Sequence, residues 1–525
     1  MEFGVWSLEL LESSARTVNS RRGVALYVVV FVVVLLALAG YAFLSFMTTE
    51  YEATTMRGRE IQVQHVLQSG GAWIESLLTL SDLERQKIGG FYDNPRQFCA
   101  IVATGTHHED LNTGRFTILS PKIENSAITG VRYGLTNESS KLHLGKILQW
   151  ETAMPDAGKN ALLNLPGMTE TMAESILDWI DPDNITRLSG AEEAEYKRMK
   201  RSYGPRNAVP DLLEELMLVR DVTRDNLFGG DENFNFIPDA MESGKSRRNV
   251  PMAWKHFLTA FSAERDASPE GFARIDLNQE NLEFLHQLLE QRVSRQAADF
   301  VILFRQFGPT ELTGAYFEDG KIISQTLLSP RDAEAERTMD FSVPGEYTFQ
   351  TPLDAVDLAV AIPDEESLLP GPFQWDGQRF QGDLLRFLDQ VSASPTTTIV
   401  GRVNINLAQR EVLLSVPGLT PQMVQNILSR RPPPETAGQG SSRHPTWLLE
   451  EQILDLDTLK MLWNDITCGG DVFHGQVIGF YDEIGTFARN EVTIDATVFP
   501  PRQLFPKDLT SYGIGFSNPI LFGHR

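Results

Sequence analysis

"LLNLPGMTETMAESILDW" (Leu162–Trp179) returns later in the chain as "LLSVPGLTPQMVQNILSR" (Leu413–Arg430), with eight of 18 aligned positions identical. In both copies an apolar turn meets Pro-Gly, an apolar residue and then Thr. Pro and Gly punctuate helices, and Thr is a good N-cap for the helix that follows. Each copy therefore predicts two short helices joined by a tight turn, a helix-hairpin-helix-like unit. Such units either present backbone N–H groups to nucleic-acid phosphate or pack helices against one another. The DNA-binding form carries a second Gly where Thr169 and Thr420 stand, and Glu170, Glu174, Asp178, Asp181 and Asp183 crowd the first copy. Packing is the reading the residues favour; Arg430 and Arg431 are the cations a DNA reading would need.

A second echo accompanies the first. "ARIDLNQENLEFL" (273–285) and "GRVNINLAQREVLL" (401–414) share Arg, apolar, Asp or Asn, apolar and Asn, and "SKLHLGKILQW" (140–150) is a degenerate third copy. These read as strand-to-helix junctions with Asn as the cap.

The 525 residues bear a formal net charge of −24 with 42% hydrophobic and 22% charged residues. That is globular composition, long enough for two to four domains. An acidic chain is a poor match for phosphate backbones and a fair one for divalent cations. Two cysteines, Cys99 and Cys468, exclude a disulfide framework and a thiolate zinc cluster, and leave one bridge or two free thiols open. No H-E-x-x-H, G-x-S-x-G, P-loop or dinucleotide fingerprint occurs, so no enzyme chemistry is signalled.

"VALYVVVFVVVLLALAGYAFLSFM" (Val24–Met47) carries no charge. As a helix it is about 36 Å long, enough to cross a bilayer core of about 30 Å. Arg16, Arg21 and Arg22 precede it and Glu50 and Glu52 follow, which predicts a cytoplasmic N-terminus. "ALAG" (37–40) offers a signal-peptidase alternative, but the apolar run continues past it. Beyond the span the chain reads as an outward helix, interrupted at Gly70-Gly71, then strands over 114–144, helices over 141–229, a strand at "WKHFLTAFS" (254–262), a strand entering one long helix over 273–307, a mixed region to 400, and two antiparallel strands in 471–499.

Two loops have oxygen-ligand spacing. "DENFNFIPDAME" places Asp231, Asn233, Asn235, Asp239 and Glu242 at positions 1, 3, 5, 9 and 12 of a calcium loop, with the Ile237 carbonyl at position 7. Position 6, normally Gly, is Phe236. "DWIDPDN" offers Asp181, Asp183 and Asn184, joined by Glu192 or Glu193.

The ordered series "RRGVAL", "GVRYGLTNESSKLHL", "LLNLPGMTETMAESILDWIDPD", "GAEEAEYKRMKRSYGPRNAVPDLLEELMLVRDVT", "ARIDLNQENL" and "GRVNINLAQREVLLSVPGL" resembles type II secretion system protein K, a minor pseudopilin family. The resemblance covers most of 20–290 and 400–500; about 290–400 reads as added material. It implies an α+β fold: an N-terminal transmembrane helix and a pilin-like α/β core with a large inserted helical domain. The implied boundaries are a leader at 1–23, the span at 24–47, the pilin-like helix and first strands at 48–140, the insert at 141–250, core continuation plus extra mixed region at 251–400, and the second hairpin unit with C-terminal strands at 401–525. It further implies cleavage between Gly23 and Val24 by prepilin peptidase, minor pseudopilins I and J as partners, inner-membrane residence with a periplasmic bulk, structural calcium, and no nucleic acid. The family's position at a fibre tip would account for Val28. Elsewhere the fifth mature residue is Glu, which neutralises a neighbour's amine, and a tip subunit has no such neighbour above it. The alternative is a membrane-anchored DNA-uptake factor using the two hairpin units.

Overall fold

A computed structural model describes residues 21–104, 113–237, 242, 252–311, 315–318, 321–324, 326–328, 339–362, 367–377, 379–381, 383–482 and 485–523. The chain divides into two units, 1–62 and 63–525. The described part of the first is helical throughout. Helix α1 runs Arg21–Leu78 without interruption, and every side chain from Val24 to Glu50 is exposed, as a helix meant for lipid leaves them.

The expected break at Gly70-Gly71 is absent, and the reason lies within the second unit. A Cβ at Gly70 would stand 2.4 Å from Val477 Cγ1, and one at Gly479 would stand 2.9 Å from Leu67 N. The glycines let the helix end lie close on the sheet. Val63, Val66, Leu67, Ile74 and Leu78 bury themselves there against Phe116, Ile118 and Val477.

That sheet is the core. Its antiparallel order is 101–104, 114–124, 472–481, 487–495, 502–503, with 127–133 on 114–124, Thr136–Asn137 on 472–481 and Lys507–Asp508 on 487–495. Phe116 faces Gly479 and Ile118 faces Val477 across the central pair. Alternation sends Val477 to the helix side and Ile478 and Phe480 to the other, where Leu119, Phe236 and Phe516 cover them. The two antiparallel strands expected in 471–499 are Val472–Tyr481 and Phe487–Asp495.

The sheet therefore takes strands from before Asn137 and after Asp471, and everything between leaves and returns. The span 251–400, expected to continue the core, gives no strand to this sheet among the described residues; it belongs to an insertion larger than 141–250.

The insertion is built three times over. In the first repeat Leu142–His143 pairs in parallel with Leu258–Thr259, and the intervening chain holds α2 (Leu144–Ala153), α3 (Ala157–Leu163), α4 (Glu170–Ile180) and α5 (Glu193–Arg198). In the second, Ile275–Asp276 pairs in parallel with Val391–Ser392 around α6 (Leu282–Arg292), α7 (Arg295–Phe307) and α8 (Leu384–Gln390). In the third, Val403–Asn404 pairs in parallel with Ile466–Thr467 around α9 (Arg410–Ser415), α10 (Pro421–Arg430) and α11 (Leu456–Leu462). A cation precedes each first strand and meets a carboxylate: Lys141 on Glu138 (2.6 Å), Arg274 on Asp266 (3.2 Å) and Arg402 on Glu264. The apolar residue that follows each strand, Leu144, Leu277 or Ile405, is fully buried.

Three local expectations change. The single helix over 273–307 is the pair α6 and α7, because Val293 leaves helical geometry and the Ser294 hydroxyl accepts from Ala297 N–H (3.2 Å) to start a new helix. Asn278 and Asn406 do not cap; Asn278 clips Phe349 and Ala393 carbonyls (2.9 and 3.1 Å), Asn406 donates to the Ser442 carbonyl (2.9 Å), and the cap of α6 is Asn281. "WKHFLTAFS" is a 3-10 turn, Trp254–His256, before a strand of two residues. The mixed region contributes a four-stranded sheet ordered 326–327, 367–370, 358–361, 309–311. Neither Cys99 nor Cys468 takes part in a disulfide bond.

Candidate functional site

The two Pro-Gly hairpins are the same object. Gly167 (φ 72°) and Gly418 (φ 95°) occupy the left-handed region that side chains avoid. Thr169 and Thr420 accept from the N–H of Met172 and Met423, each at 3.3 Å. The two units then grip one another: Ser415 Oγ donates to the Ala161 carbonyl (2.7 Å), and Asn164 Nδ2 donates to the Leu414 carbonyl (3.1 Å). The arginines a DNA reading needs are spent on the protein. Arg430 donates to the Glu451 carbonyl and Arg431 to that of Ala408 (2.6 Å), and burial lowers the Arg431 pKa.

What the first hairpin positions is acidic. Helix α4 carries Glu174 and Asp178 one turn apart and ends at Asp181. The chain then loops through Asp183 to Glu192, the residue before α5. Carboxylate oxygens of Asp181, Asp183 and Glu192 converge within 4.8 Å of one another. Glu192 is 3% exposed and Asp181 4%. Neither Glu192 oxygen, nor Asp181 Oδ1, makes a close hydrogen bond; the Glu192 carboxylate faces the first N–H groups of α5 as one half of a capping box, and its own backbone N–H donates to Glu195 (3.2 Å). Burial, helped by the charges of Asp178, Asp181 and Asp183, pushes the Glu192 carboxyl up to about 7. Burial likewise raises Asp178 and Asp181 against the pull of Arg187.

Arg187 is the internal cation, 2.6 Å from Asp178 and also paired with Asp181. One guanidinium serves several carboxylates, and orphaned buried oxygens remain. Such oxygens are costly unless a hard cation completes them, so these residues fit Ca²⁺. Of the two glutamates named from the sequence, Glu192 belongs and Glu193 does not: it pairs with Lys197 (2.6 Å). Asn184 accepts through Oδ1 from Asn207 Nδ2 (3.0 Å). The roles of Asp178 and Arg187 were missed. The signal for Asp178 is its place one turn before Asp181 on α4; nothing marks Arg187.

The second loop is differently satisfied. Asp231 accepts from Asn235 N–H (3.0 Å) and Phe236 N–H (3.2 Å), and Glu242 accepts from Glu232 N–H (3.0 Å), drawing position 12 back onto position 2. Phe236 takes φ 63°, the left-handed geometry that glycine supplies at position 6 of a calcium loop. Its ring is buried, which holds a conformation costly for a side chain. Protein cations stand close: Lys255 Nζ is 3.4 Å from Asp231, and buried Arg489 donates to the Asn233 carbonyl. Asn235 donates to the Gly515 carbonyl (2.9 Å), and Ile237 donates its N–H to Asn235 Oδ1 (2.8 Å). Asp239 lies outside the described residues. Of the processing pair, Gly23 and Val24 lie in the first turn of α1, and Val24 is exposed.

Among known proteins, residues 156–227 match the family "Type II secretion system (T2SS), protein K". No curated protein matches the chain. Among solved structures, a chain of the GspK-GspI-GspJ complex from the enterotoxigenic Escherichia coli type 2 secretion system aligns over 86% of this chain and 97% of its own, at 11% identity and a TM-score of 0.33. The matched segment runs from the residue before α3 through α4, the acidic loop and α5. Over that segment the resemblance read from the ordered motifs is borne out: this chain carries, at residues 156–227, the domain of type II secretion system protein K.

Proposed function

We propose that the chain is a minor pseudopilin, a structural subunit at the tip of a type II secretion pseudopilus that supports fibre initiation and protein export. The observation that carries this reading is the protein K domain inside a chain whose apolar N-terminal helix runs on into a helix packed against an antiparallel sheet. The hairpin units, with their arginines engaged and their surroundings acidic, support a packing role rather than DNA binding. Minor pseudopilins I and J are the proposed partners, prepilin peptidase the processing enzyme at Gly23–Val24, and the inner membrane the site, with the N-terminus cytoplasmic and the bulk periplasmic. Val28, where fibre subunits carry Glu, agrees with a tip position.

Calcium is the proposed structural cofactor. Asp181, Asp183 and Glu192 would hold one ion and so tie the C-terminal end of α4 to the start of α5. The Asp231, Asn233, Asn235, Ile237, Asp239 and Glu242 loop is the second proposed site. When bound at the first site, the ion supplies positive charge to the buried oxygens of Asp181 and Glu192. The N-terminal sequence of membrane-extracted mature protein tests the reading: a start at Val24 supports it, and a start after Ala39 sinks it.

A further inference from the structure

The loop between Asp181 and Glu192 exposes its two large apolar residues, while the carboxylates that flank it are buried. Leu188 is 98% exposed and Ile185 76%, while Asp178, Asp181 and Glu192 are buried. The exposure does not come from slack. Arg187 N–H donates to Asp178 (3.3 Å) and Ser189 N–H to Glu174 (2.5 Å), and the Arg187 side chain pairs with Asp178 and Asp181. At the other end the Ile185 N–H donates to Asp183 Oδ1 (2.7 Å), seating that isoleucine beside the exposed ligand. Buried carboxylates of α4 thus pin the loop so that two large apolar side chains project into solvent next to an open carboxylate.

We infer that this loop is a calcium-dependent contact with an anionic phospholipid surface, with Ile185 and Leu188 entering the interfacial layer and lipid phosphate completing the coordination of an ion held by Asp181, Asp183 and Glu192. The inference rests on the calcium site proposed above. Three carboxylates supply fewer oxygens than the six to eight that Ca²⁺ takes, and the exposed one marks the side on which the rest must come from outside. A chain of net charge −24 repels anionic lipid, and a bridging cation reverses that sign locally. Two projecting side chains cover far less than the roughly 800 Å² per partner of a stable protein interface, whereas a few inserted apolar residues plus one electrostatic bridge suffice at a bilayer surface.

The test uses full-length chain in neutral phosphatidylcholine nanodiscs, mixed with phosphatidylcholine vesicles with or without about one-third phosphatidylglycerol, in calcium or EGTA, and read by flotation. Calcium binding at this loop is followed separately by titration calorimetry, as the component of the isotherm that E192Q removes. The expected result is flotation with anionic vesicles in calcium only, reduced about tenfold or more by I185S/L188S, with calcium affinity unchanged. Calcium binding without flotation, or flotation indifferent to I185S/L188S, overturns the lipid contact and leaves the calcium site standing. No calcium binding overturns both. Calcium-dependent pairing of nanodiscs without vesicles, abolished by I185S/L188S, would make the occupant a second copy of this chain and overturn the lipid assignment.

Discussion

Replacing Glu192 by Gln should have opposite effects with and without calcium. Without the ion, the Glu192 carboxylate lies within 4.8 Å of Asp181 and Asp183 oxygens. At an effective dielectric of about 20 each such pair repels by about 3 kcal/mol. Asp183 is exposed, so its share is largely screened, and Arg187 offsets part of that from Asp181. Two buried oxygens without partners add about 1–3 kcal/mol. The amide removes the charge and offers an N–H to the orphaned Asp181 Oδ1. A local stabilisation of about 2 kcal/mol follows, or roughly 30-fold slower opening. With calcium at about a hundred times its dissociation constant, the native protein gains about 2.7 kcal/mol and the variant, lacking a ligand, gains little. Hydrogen exchange of the α4 amides, Glu170–Ile180, reads both effects locally. In EGTA the variant should exchange more slowly than the native chain, and in calcium faster. If Glu192→Gln instead speeds exchange equally in both, the carboxylate is a partner in the fold and not a vacant ligand.

Other perturbations separate the architecture from the site. Gly167→Ala and Gly418→Ala each force a side chain into positive φ, costing about 1–2 kcal/mol, seen as a lower denaturation midpoint; Gly71→Ala, whose Cβ meets nothing within 4 Å in an unbroken helix, should stabilise by about 0.5–1 kcal/mol. His143 caps α2 as a neutral ring, Nδ1 accepting from Gly145 N–H and Nε2 facing the Ala260 carbonyl, and burial lowers its pKa to about 4. The unfolded chain therefore takes up a proton near pH 6.5 that the folded one refuses until about pH 4. Stability is lost across that window, on the order of 3 kcal/mol, and His143→Asn, which keeps an acceptor but does not titrate, should flatten the fall in melting temperature between pH 7 and 4.5.

The sequence showed what local chemistry dictates. Pro-Gly-apolar-Thr admits one compact turn, so both hairpins were legible from their letters, as were the strands that alternate over seven residues or more. Strands of two residues carry no periodicity, so Leu258–Thr259, Val391–Ser392 and Ile466–Thr467 were invisible as the partners of three echoed motifs. The insertion's full extent was equally hidden, because the strand that resumes the sheet at Val472 is identified only by its pairing with 114–124. At the site, Asp181 and Asp183 were readable from turn spacing. Choosing Glu192 over Glu193 needed the helix geometry that turns one inward and leaves the other to Lys197.

The second repeat explains why the chain holds the Pro-Gly unit twice. Its helix pair, α6 and α7, occupies the same place between parallel strands as the other hairpins, yet it turns at Val293-Ser294 with neither Pro nor Gly. The insertion therefore requires a helix hairpin at each strand junction, and the Pro-Gly turn is one way to make it. It recurs in the first and third repeats because these two meet, through Ser415 on Ala161 and Asn164 on Leu414, and a tight turn lets two hairpins approach at backbone distance. A phosphate-binding role would demand the reverse: a turn left open and arginines left unengaged. With the two hairpins locked together, α4 is held at a fixed place, and the acidic loop leaving its end inherits that rigidity. The repeated unit serves the site by holding still the helix on which the site is built.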